Sequence, residues 1–538
     1  MHAIHPAPPE ALVPTAVVVW DRTSVFLSVA LAANLVSTPL KAYLCESFPW
    51  QANAPPPILS TNASWAVKEA FLLSLTADRY NDSVFTGDAN YYEDVLASTV
   101  VYRRLLTRPI SPITNCAFDV ATHVNGGLFL SLRTQSALCG FAASIDSPML
   151  RSCFETRTMG TVDRYGCLWS ARRHGSDSNA TLWLYSAFQL NASHDFLIGK
   201  LVFRIVLTLY MARRVWVEYY AHYAVLRTQC ARLPHAATCK IYIGDPTSIF
   251  LLHPVVCLCL AIDMWLSVNV VANQVVAVLQ LESLSAFLFG YFYLSRCVWL
   301  CYACMACTSV VLKRCHWEHV FPPMDPTLVA VVATALVGPL TYLQGNSMCI
   351  QAYAWVLNVS ASSPNATEGA YAVLLYTCSI GALPLVHGAL QYALCRRRYG
   401  AQRGLINYAS HQYNDVKSLV VLALPFRSLG RVPHTCGGSL YHVFDQFPGL
   451  KRSPCISQRG TDCFVLVLNC AKHPLELRRL SLLYHGLDRT RAAQAPNVVA
   501  TKGPVIFGHV ELQTSCASSR GTRIVLLESS LFPSPWIE

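Results

Sequence analysis

Three ionisable side chains interrupt long apolar runs in this sequence. Asp263 and Arg296 are, together with Glu282, the only residues with a formal charge across residues 247–312. Arg204 lies in another apolar run, at residues 196–217, which also carries Lys200 and ends near Arg213 and Arg214. A lone charge in hydrocarbon is unfavourable, so such side chains are expected to pair or to line a wet cavity. The three residues could therefore form a polar pathway or ligand site, or a buried ion pair that fixes helix packing.

The spacing of Asp263 and Arg296 predicts that they meet. Asp263 follows Thr247 by 16 residues, and Arg296 precedes Leu312 by 16 residues. If residues 247–312 fold as two antiparallel helices, a rise of about 1.5 Å per residue places both side chains about 24 Å from the same end. The two charges are therefore predicted to contact each other across neighbouring helices.

Cysteines recur in patterns that could bind a metal. Cys297, Cys301 and Cys304 share one face of a predicted helix, and Cys307 follows them. The C-x-x-C spacing suits zinc or iron–sulfur ligation, but cysteines that run through an apolar helix are typical of packing. Tail residues with no zinc-like spacing are His434, Cys436, Cys455, Cys463, Cys470 and His473. Cys395 precedes three arginines at the end of a predicted span, which makes it a palmitoylation candidate.

Motifs of common enzymes are absent from the sequence. There is no G-x-x-x-x-G-K-[ST], no G-x-S-x-G, no kinase signature and no Gly-rich dinucleotide loop. No cofactor, metal site or catalytic residue is predicted, and the sequence does not favour an enzyme.

The composition is that of a membrane protein. Of 538 residues, 53% are apolar and 13% are charged, whereas a soluble domain is nearer a quarter charged. One helical crossing needs about 20 residues. The predicted fold class is an α-helical multi-pass membrane protein with about six transmembrane helices. It adds a glycosylated, disulfide-containing extracellular or luminal domain and a small α+β cytosolic C-terminal domain.

Boundaries follow from the apolar runs. The predicted order is a disordered N-terminus (1–16), six spans (17–40, 196–217, 247–271, 283–312, 326–343 and 370–394), an outside domain (41–195), an outside loop (344–369), two cytosolic loops (218–246 and 313–325) and a cytosolic tail domain (395–538). The first span is either a signal-anchor helix or a cleavable signal peptide with a small-residue site at residues 30–32. Both alternatives place the next segment outside.

Sequons and basic residues predict the sidedness. Glycan acceptors face the lumen or the exterior, and the sequons occur in two loops only, at Asn62, Asn81, Asn179, Asn191, Asn358 and Asn365. From residue 395 onward the tail holds 18 Lys and Arg against 8 Asp and Glu, which favours the cytosolic side over nucleic-acid binding. The predicted location is the plasma membrane or another secretory-pathway membrane. The bilayer and an unidentified protein or small molecule are the expected partners.

The outside domain holds cysteines that could form disulfides. In an oxidising compartment two bonds could form, in any of three pairings, among Cys116, Cys139, Cys153 and Cys167. Cys45 is left over. One hypothesis joins it to Cys349 of the later outside loop, and the alternative is a free or buried thiol.

Short apolar runs in the aqueous regions are typical of strands. Strands are predicted at residues 127–132 and 182–190, and in the tail at 419–424, 464–468, 505–510 and 524–527. Residues 474–485 are predicted to form an amphipathic helix, and residues 215–226 an interfacial helix.

Two classes of function are consistent with this organisation. The first is a receptor-like, adaptor or structural membrane component that couples the outside domain to the cytosolic domain. The second is a channel or transporter with a polar site at Arg204, Asp263 and Arg296. The order of one span, a large glycosylated loop and five further spans is similar to the general layout of polycystin and mucolipin channels. That resemblance is topological, and residues 344–369 contain no recognisable selectivity filter.

Overall fold

The computed structural model describes residues 16–51, 63–85, 89–107, 116, 119–120, 124–172, 181–234, 236–251, 253–280, 283–318, 321, 323–344, 347–360, 363–398, 434–514, 522–531 and 533–538. Of the sequence predictions, most of the N-terminus (1–16), Asn62, Asn179 and the strand at 419–424 lie outside these residues.

Helices dominate the middle of the chain. In chain order they are α1 (Arg22–Val36), α2 (Thr38–Lys41), α3 (Trp65–Leu75), α4 (Leu132–Ala143), α5 (His194–Val215), α6 (His222–Ala231), α7 (Thr247–Leu251), α8 (Pro254–Trp265), α9 (Val268–Gln280), α10 (Leu284–Leu294), α11 (Val298–Arg314), α12 (Pro326–Leu343), α13 (Ser347–Ser360), α14 (Ala370–Gly381), α15 (Leu383–Arg398), α16 (Ser439–Gln446), α17 (Leu483–Gly486) and α18 (Arg489–Gln494).

Strands lie on either side of this helical region in the sequence and also between its helices. They are β1 (Val17–Trp20), β2 (Tyr91–Asp94), β3 (Thr99–Thr107), β4 (Arg151–Thr158), β5 (Thr161–Arg172), β6 (Thr181–Leu190), β7 (Thr238–Tyr242), β8 (Ala366–Glu368), β9 (Thr435–Gly437), β10 (Cys463–Leu468), β11 (Pro474–Leu482), β12 (Val498–Gly503), β13 (His509–Thr514), β14 (Thr522–Ser529) and β15 (Trp536–Ile537).

One sheet organises the large-loop domain, which we define as residues 63–190 together with 363–368. Its strand order is β2-β3-β6-β5-β4-β8. Neighbours among β2 to β6 are antiparallel, whereas β8 adds to β4 in parallel after a long excursion through the helices. Residues of the two predicted outside regions therefore share one sheet.

Two disulfides lie in the large-loop domain. Cys153 and Cys167 face each other across β4 and β5, and Cys116 is joined to Cys139 of α4. The structure thus selects one of the three open pairings. Cys45 and Cys349 form no disulfide, and the thiol of Cys45 donates to the carbonyl oxygen of Phe289 at 3.6 Å.

The tail domain, defined as residues 434–538 with 16–20 and 236–246, is built from three parts of the chain. Its larger sheet has the order β1-β7-β10-β11-β15, and β9 also pairs with β11. A smaller sheet has the order β12-β14-β13. The prediction that residues 395–538 form a domain by themselves is therefore incomplete, since β1 and β7 are integral strands. Residues 17–20, predicted as the start of a helix, are extended because β1 pairs in parallel with β7.

Among the residues that the structure describes, three helical stretches are long and apolar enough to cross a membrane: Leu284–Arg314, Pro326–Leu343 and Ala370–Leu390. Two bent helix pairs raise the number to five if each pair is one span. The pairs are Arg22–Val36 with Thr38–Leu44, bent by 59°, and α8 with α9, bent by 70°. The third predicted span is thus wrong in shape: it is broken into α7, α8 and α9, and residues predicted as a polar turn continue α9.

The breaks in this segment have identifiable causes. Pro254 is the first residue of α8 and cannot continue a helix from α7, because it lacks the backbone N–H. At the second break the hydroxyl of Ser267 donates to the carbonyl oxygen of Asp263 at 3.0 Å. Such back-bonding by serine competes with the helical hydrogen-bond ladder and bends helices.

Helix α5 coincides with the second predicted span but carries Asp195, Lys200, Arg204 and two terminal arginines. Because of these charged residues, α5 is not apolar enough by composition to be counted with the three stretches above. Its charged and apolar faces are reversed relative to a soluble helix, because Lys200 and Arg204 are buried. The opposite face is apolar and exposed, with Val202 at 52%, Val206 at 59% and Leu209 at 64%.

Local predictions have mixed outcomes. Strands predicted at 182–190, 464–468 and 524–527 are present as β6, β10 and β14, and residues 216–231 are helical. Residues 127–129 instead form a 3-10 turn, and β13 begins only at His509. The predicted helix at 474–485 is wrong, since β11 occupies most of it. Pairing with β10 and β9 outweighs the helical periodicity there.

Candidate functional site

The structure brings together the three charged residues singled out in the apolar runs. Arg204 donates to Asp263 through Nε at 2.6 Å, and Arg296 forms an ion pair with the other oxygen of Asp263. All three side chains are almost fully buried, with Arg204 at 0% exposure. The predicted contact between Asp263 and Arg296 is therefore present.

Glu46 is a second acid in this group. Both of its oxygens accept from the Arg204 guanidinium, at 2.7 and 2.9 Å. Lys200 contacts it at 2.8 Å, and the hydroxyl of Tyr293 donates to it at 2.6 Å. Burial alone would raise the pKa of Glu46, but the surrounding cations outweigh burial and hold the pKa well below the ordinary carboxyl value.

These five ionised side chains, Glu46, Lys200, Arg204, Asp263 and Arg296, are hereafter the charge cluster. They contribute three cations and two carboxylates, so the charge cluster retains one positive charge. The carboxylates are saturated by close donors. The arrangement can hold several helices in one geometry and present a positive potential to its surroundings.

Different parts of the chain supply the members of the charge cluster. Glu46 follows the bent pair of α1 and α2, Lys200 and Arg204 come from α5, and Asp263 lies one turn before the bend between α8 and α9. Ser267, at that bend, accepts from Arg204 at 2.9 Å. Both bent helix pairs therefore approach the charge cluster.

Sequence reasoning missed Glu46 as a partner. It lies just after the first apolar run, so no spacing rule relates it to Arg204. The one available signal was charge counting. The predicted spans contain three such cations, Lys200, Arg204 and Arg296, against one carboxylate, Asp263. This excess of positive charge indicates that a further acidic partner is needed.

A cleft adjoins the charge cluster at the boundary between the large-loop domain and the helices. It encloses about 780 Å³ of space, part of it open to solvent. Its polar lining residues from the large-loop domain are Tyr91, Glu93, Ser98, Tyr102 and Arg164. The helical side contributes Lys200, Asn269, Asn273 and Gln274, and Glu46 borders the same space.

Two hydrogen bonds attach the large-loop domain to α9. Arg164 donates to the amide oxygen of Asn273 at 2.7 Å. At the C-terminal end of the helix, the backbone N–H of Gly126 donates to the amide oxygen of Gln280 at 2.7 Å. The polar face of α9 therefore contacts this domain at the middle of the helix and at its C-terminal end.

The tail domain is bonded to the opposite ends of the helices. Ser309 near the end of α11 hydrogen-bonds to Ser453 at 2.8 Å, and Lys313 forms an ion pair with Asp488. Arg491 donates to Glu318 at 2.6 Å. We call these contacts, with the Ser248–His485 bond described next, the tail junction.

His485 joins the tail domain to α7. Its Nε2 lies 3.0 Å from the hydroxyl of Ser248, and both side chains are buried. Burial, with a smaller contribution from the charge of Arg452, lowers the pKa of His485 to about 3. The imidazole is therefore neutral at physiological pH.

The remaining predicted site residues lie in varied surroundings. Asn81 is exposed, whereas the amide nitrogen of Asn191 donates to Val162 O at 2.9 Å. Asn365 accepts from Arg133 at 3.3 Å, and Asn358 and Cys395 lie in α13 and α15. In α11 the thiol of Cys301 donates to Ile380 O at 3.2 Å.

Comparisons with known proteins give no relative. No protein-family model, no curated protein and no solved structure matches this chain.

Proposed function

We propose that the protein is a receptor-like membrane component that couples an outside domain to a cytosolic domain through six helical crossings. The large-loop domain would face the exterior or lumen and the tail domain the cytosol. The observation that carries this proposal is that strands far apart in the chain pair with each other in the same sheet.

Strands that pair in one sheet lie on the same side of a bilayer, so the chain between them crosses an even number of times. β1 and β7 are separated by two predicted spans, and β7 and β10 by four. β4 and β8 are also separated by four. Six crossings satisfy every pairing. The role of β1 in the tail domain also favours the signal-anchor interpretation, because cleavage after residue 30 would remove this strand.

Cysteine chemistry supports the same sidedness. The two disulfides described above belong to the large-loop domain, as expected in an oxidising compartment. Cys239 of the tail domain donates to the backbone carbonyl oxygen of Cys230 in α6, and both are buried thiols. A reducing compartment keeps such thiols free.

A continuous set of contacts could couple the two domains. The large-loop domain bonds to α9, and the bend between α9 and α8 lies at the charge cluster. α8 follows α7, which bonds to the tail domain through Ser248. A change in the bend would therefore move elements attached to both domains.

Glycan mapping tests the sidedness. Because Asn81 is exposed, we expect it to carry a glycan, and Asn81→Gln should remove one glycan-sized mass shift after glycosidase treatment. The matched control is Ala471→Thr, which creates a sequon at Asn469 on the exposed 469–471 turn of the tail domain. That new sequon should remain unmodified. A glycosidase-sensitive shift in the Ala471→Thr protein would place the tail domain in the lumen or outside the cell and would contradict the proposal.

Hydrogen–deuterium exchange tests the coupling. The double substitution Asn273→Ala with Gln280→Ala removes both hydrogen bonds between the large-loop domain and α9. Each is worth about 1 kcal/mol, so exchange around the tail junction, at residues 451–462 and 483–491, should accelerate by up to about tenfold.

The control for this experiment is Gln135→Ala, which removes a 3.1 Å hydrogen bond to Leu130 O within the large-loop domain. It should leave exchange in the tail domain unchanged. Unchanged tail exchange in the double variant, with faster exchange confined to the large-loop domain, would contradict coupling.

A transporter is the second candidate, because two broken helices approach the charge cluster. Discontinuous helices that meet at buried charges are typical of substrate sites in transporters. The saturated carboxylates of the charge cluster count against a free ion site. Flux through reconstituted vesicles that is lost in Asp263→Asn would favour transport over coupling.

A further inference from the structure

Arg164 on β5 is a buried cation that forms no direct ion pair with the described residues. Its side chain is 2% exposed. The carboxylate of the neighbouring Asp163 accepts from the hydroxyl of Thr158 and attracts the Arg164 guanidinium, but it forms no ion pair with it. The guanidinium bonds to Asn273, and its Nε has no hydrogen-bond partner.

The surroundings of Arg164 hold it in place without neutralising it. Its guanidinium lies over the ring of Phe188 at 4.9 Å and over that of Phe129 at 5.3 Å. Aromatic faces attract a cation but leave its hydrogen-bonding edge available. Arg204 provides the contrast, because two carboxylates satisfy it. Burying a cation without a contacting anion is costly, so a buried guanidinium with an unpartnered Nε indicates a site for an anionic group.

The cleft beside the charge cluster, which Arg164 lines, is polar and open to solvent on one side, so a small molecule can reach it. Lys200 lines the same space, and the charge cluster behind it retains one positive charge. At the exposed side Glu93 accepts from Tyr91 at 2.8 Å and supplies a negative group.

We propose that this cleft binds a small zwitterion of amino-acid type, with its carboxylate on Arg164 and its ammonium group toward Glu93. Arginine presents a planar pair of donors that matches a carboxylate. Glu93 and Glu46 at the same cleft disfavour a dianion such as phosphate and favour a ligand that also carries a positive charge. The inference deepens the proposed function, and it rests on that function only for the outward placement of the cleft.

Binding is tested with the full-length protein in lipid nanodiscs. Each of the twenty proteinogenic amino acids is titrated singly by calorimetry, with inorganic phosphate as the anion control. The amino acid that binds best is then compared with its decarboxylated amine and its deaminated acid. We expect both analogues to bind at least about tenfold more weakly, because each lacks one charge-assisted contact. Phosphate binding without amino-acid binding, or no binding by any of the twenty, would overturn the proposal.

Two substitutions assign the binding to Arg164. Arg164→Gln should weaken the best amino acid at least about tenfold, whereas Arg133→Gln, at a half-exposed arginine of the same domain, should not. Asn273→Asp is a second test that does not depend on the folding of Arg164→Gln. Its new carboxylate would pair with Arg164 and so compete with the carboxylate of the ligand. We expect Asn273→Asp to raise the melting temperature and to abolish amino-acid binding. Unchanged binding in both Arg164→Gln and Asn273→Asp would refute the assignment.

The outcomes separate this inference from the proposed function. If an amino acid binds through Arg164 and yet leaves deuterium exchange at the tail junction unchanged, the site stands and the coupling fails. If no amino acid binds but the Asn273→Ala and Gln280→Ala variant accelerates exchange in the tail domain, the coupling stands and the ligand class fails.

Discussion

Replacing Glu46 by glutamine is expected to lower the free energy of unfolding by about 3–5 kcal/mol, the usual cost of breaking a buried ion pair by removing one partner. Glu46 accepts from Arg204 through both oxygens and contacts Lys200 at 2.8 Å. Without it, Asp263 is the one carboxylate left to balance three buried cations. Removal of Arg204 leaves two cations for two carboxylates, so its electrostatic cost should be smaller.

A second substitution separates charge imbalance from lost packing. Adding Lys200→Met to Glu46→Gln restores the net charge of the wild-type charge cluster. The double variant should therefore be more stable than Glu46→Gln alone. Thermal unfolding in nanodiscs, followed by tryptophan fluorescence, measures both. Asp78→Asn, at an exposed acid with a 3.8 Å partner, is the control and should change stability little. A Glu46→Gln protein as stable as this control would contradict the assigned role.

Acidification is expected to destabilise the protein through His485. The pKa of His485 is lowered to about 3 in the folded state, mainly by burial, and is near 6.5 in the unfolded chain. Between these values the unfolded state binds the extra proton, so stability is complete above about pH 6.5 and falls as the pH falls. At about 1.4 kcal/mol per pH unit, His485 costs roughly 2 kcal/mol at pH 5.

His485→Gln isolates this contribution, because glutamine can still hydrogen-bond to Ser248 and does not titrate. The melting temperatures of the variant and the wild type should converge as the pH is lowered from 7.5 to 5. His434→Gln, at an exposed residue of the tail domain, should keep the wild-type pH dependence. Parallel pH profiles for wild type and His485→Gln would show that the imidazole is not buried as a neutral group.

The two predictions concern the opposite ends of one helical segment. The charge cluster lies at the bend between α8 and α9, and His485 contacts α7 just before α8. If the domains are coupled, Glu46→Gln should also accelerate exchange at the tail junction, although its partners Lys200, Arg204, Tyr293 and Arg296 lie in the helical region and not in the tail domain. Loss of stability without that acceleration would show that the charge cluster stabilises the helices but does not couple the two domains.

Periodicity and charge in the sequence were sufficient for several features. The bounds of α12 equal the predicted fifth span, and the equal spacing of Asp263 and Arg296 led to their contact. These features depend on the rise of a helix and on the need of a buried charge for a partner. Both are local or nearly local properties, so they can be read from residue order alone.

The tertiary structure decided the rest. Glu46 became the second acid of the charge cluster because the chain turns after α2, and no spacing rule anticipates that turn. Likewise β1, β7 and β8 are short segments whose extended conformation depends on partners far away in the chain. Residues 474–482 carry a helical pattern but form β11, because hydrogen bonds to β10 and β9 replace those of a helix. Only the assembled structure supplies such long-range pairings, and it alone buries Arg164 against Asn273 with an unpartnered Nε.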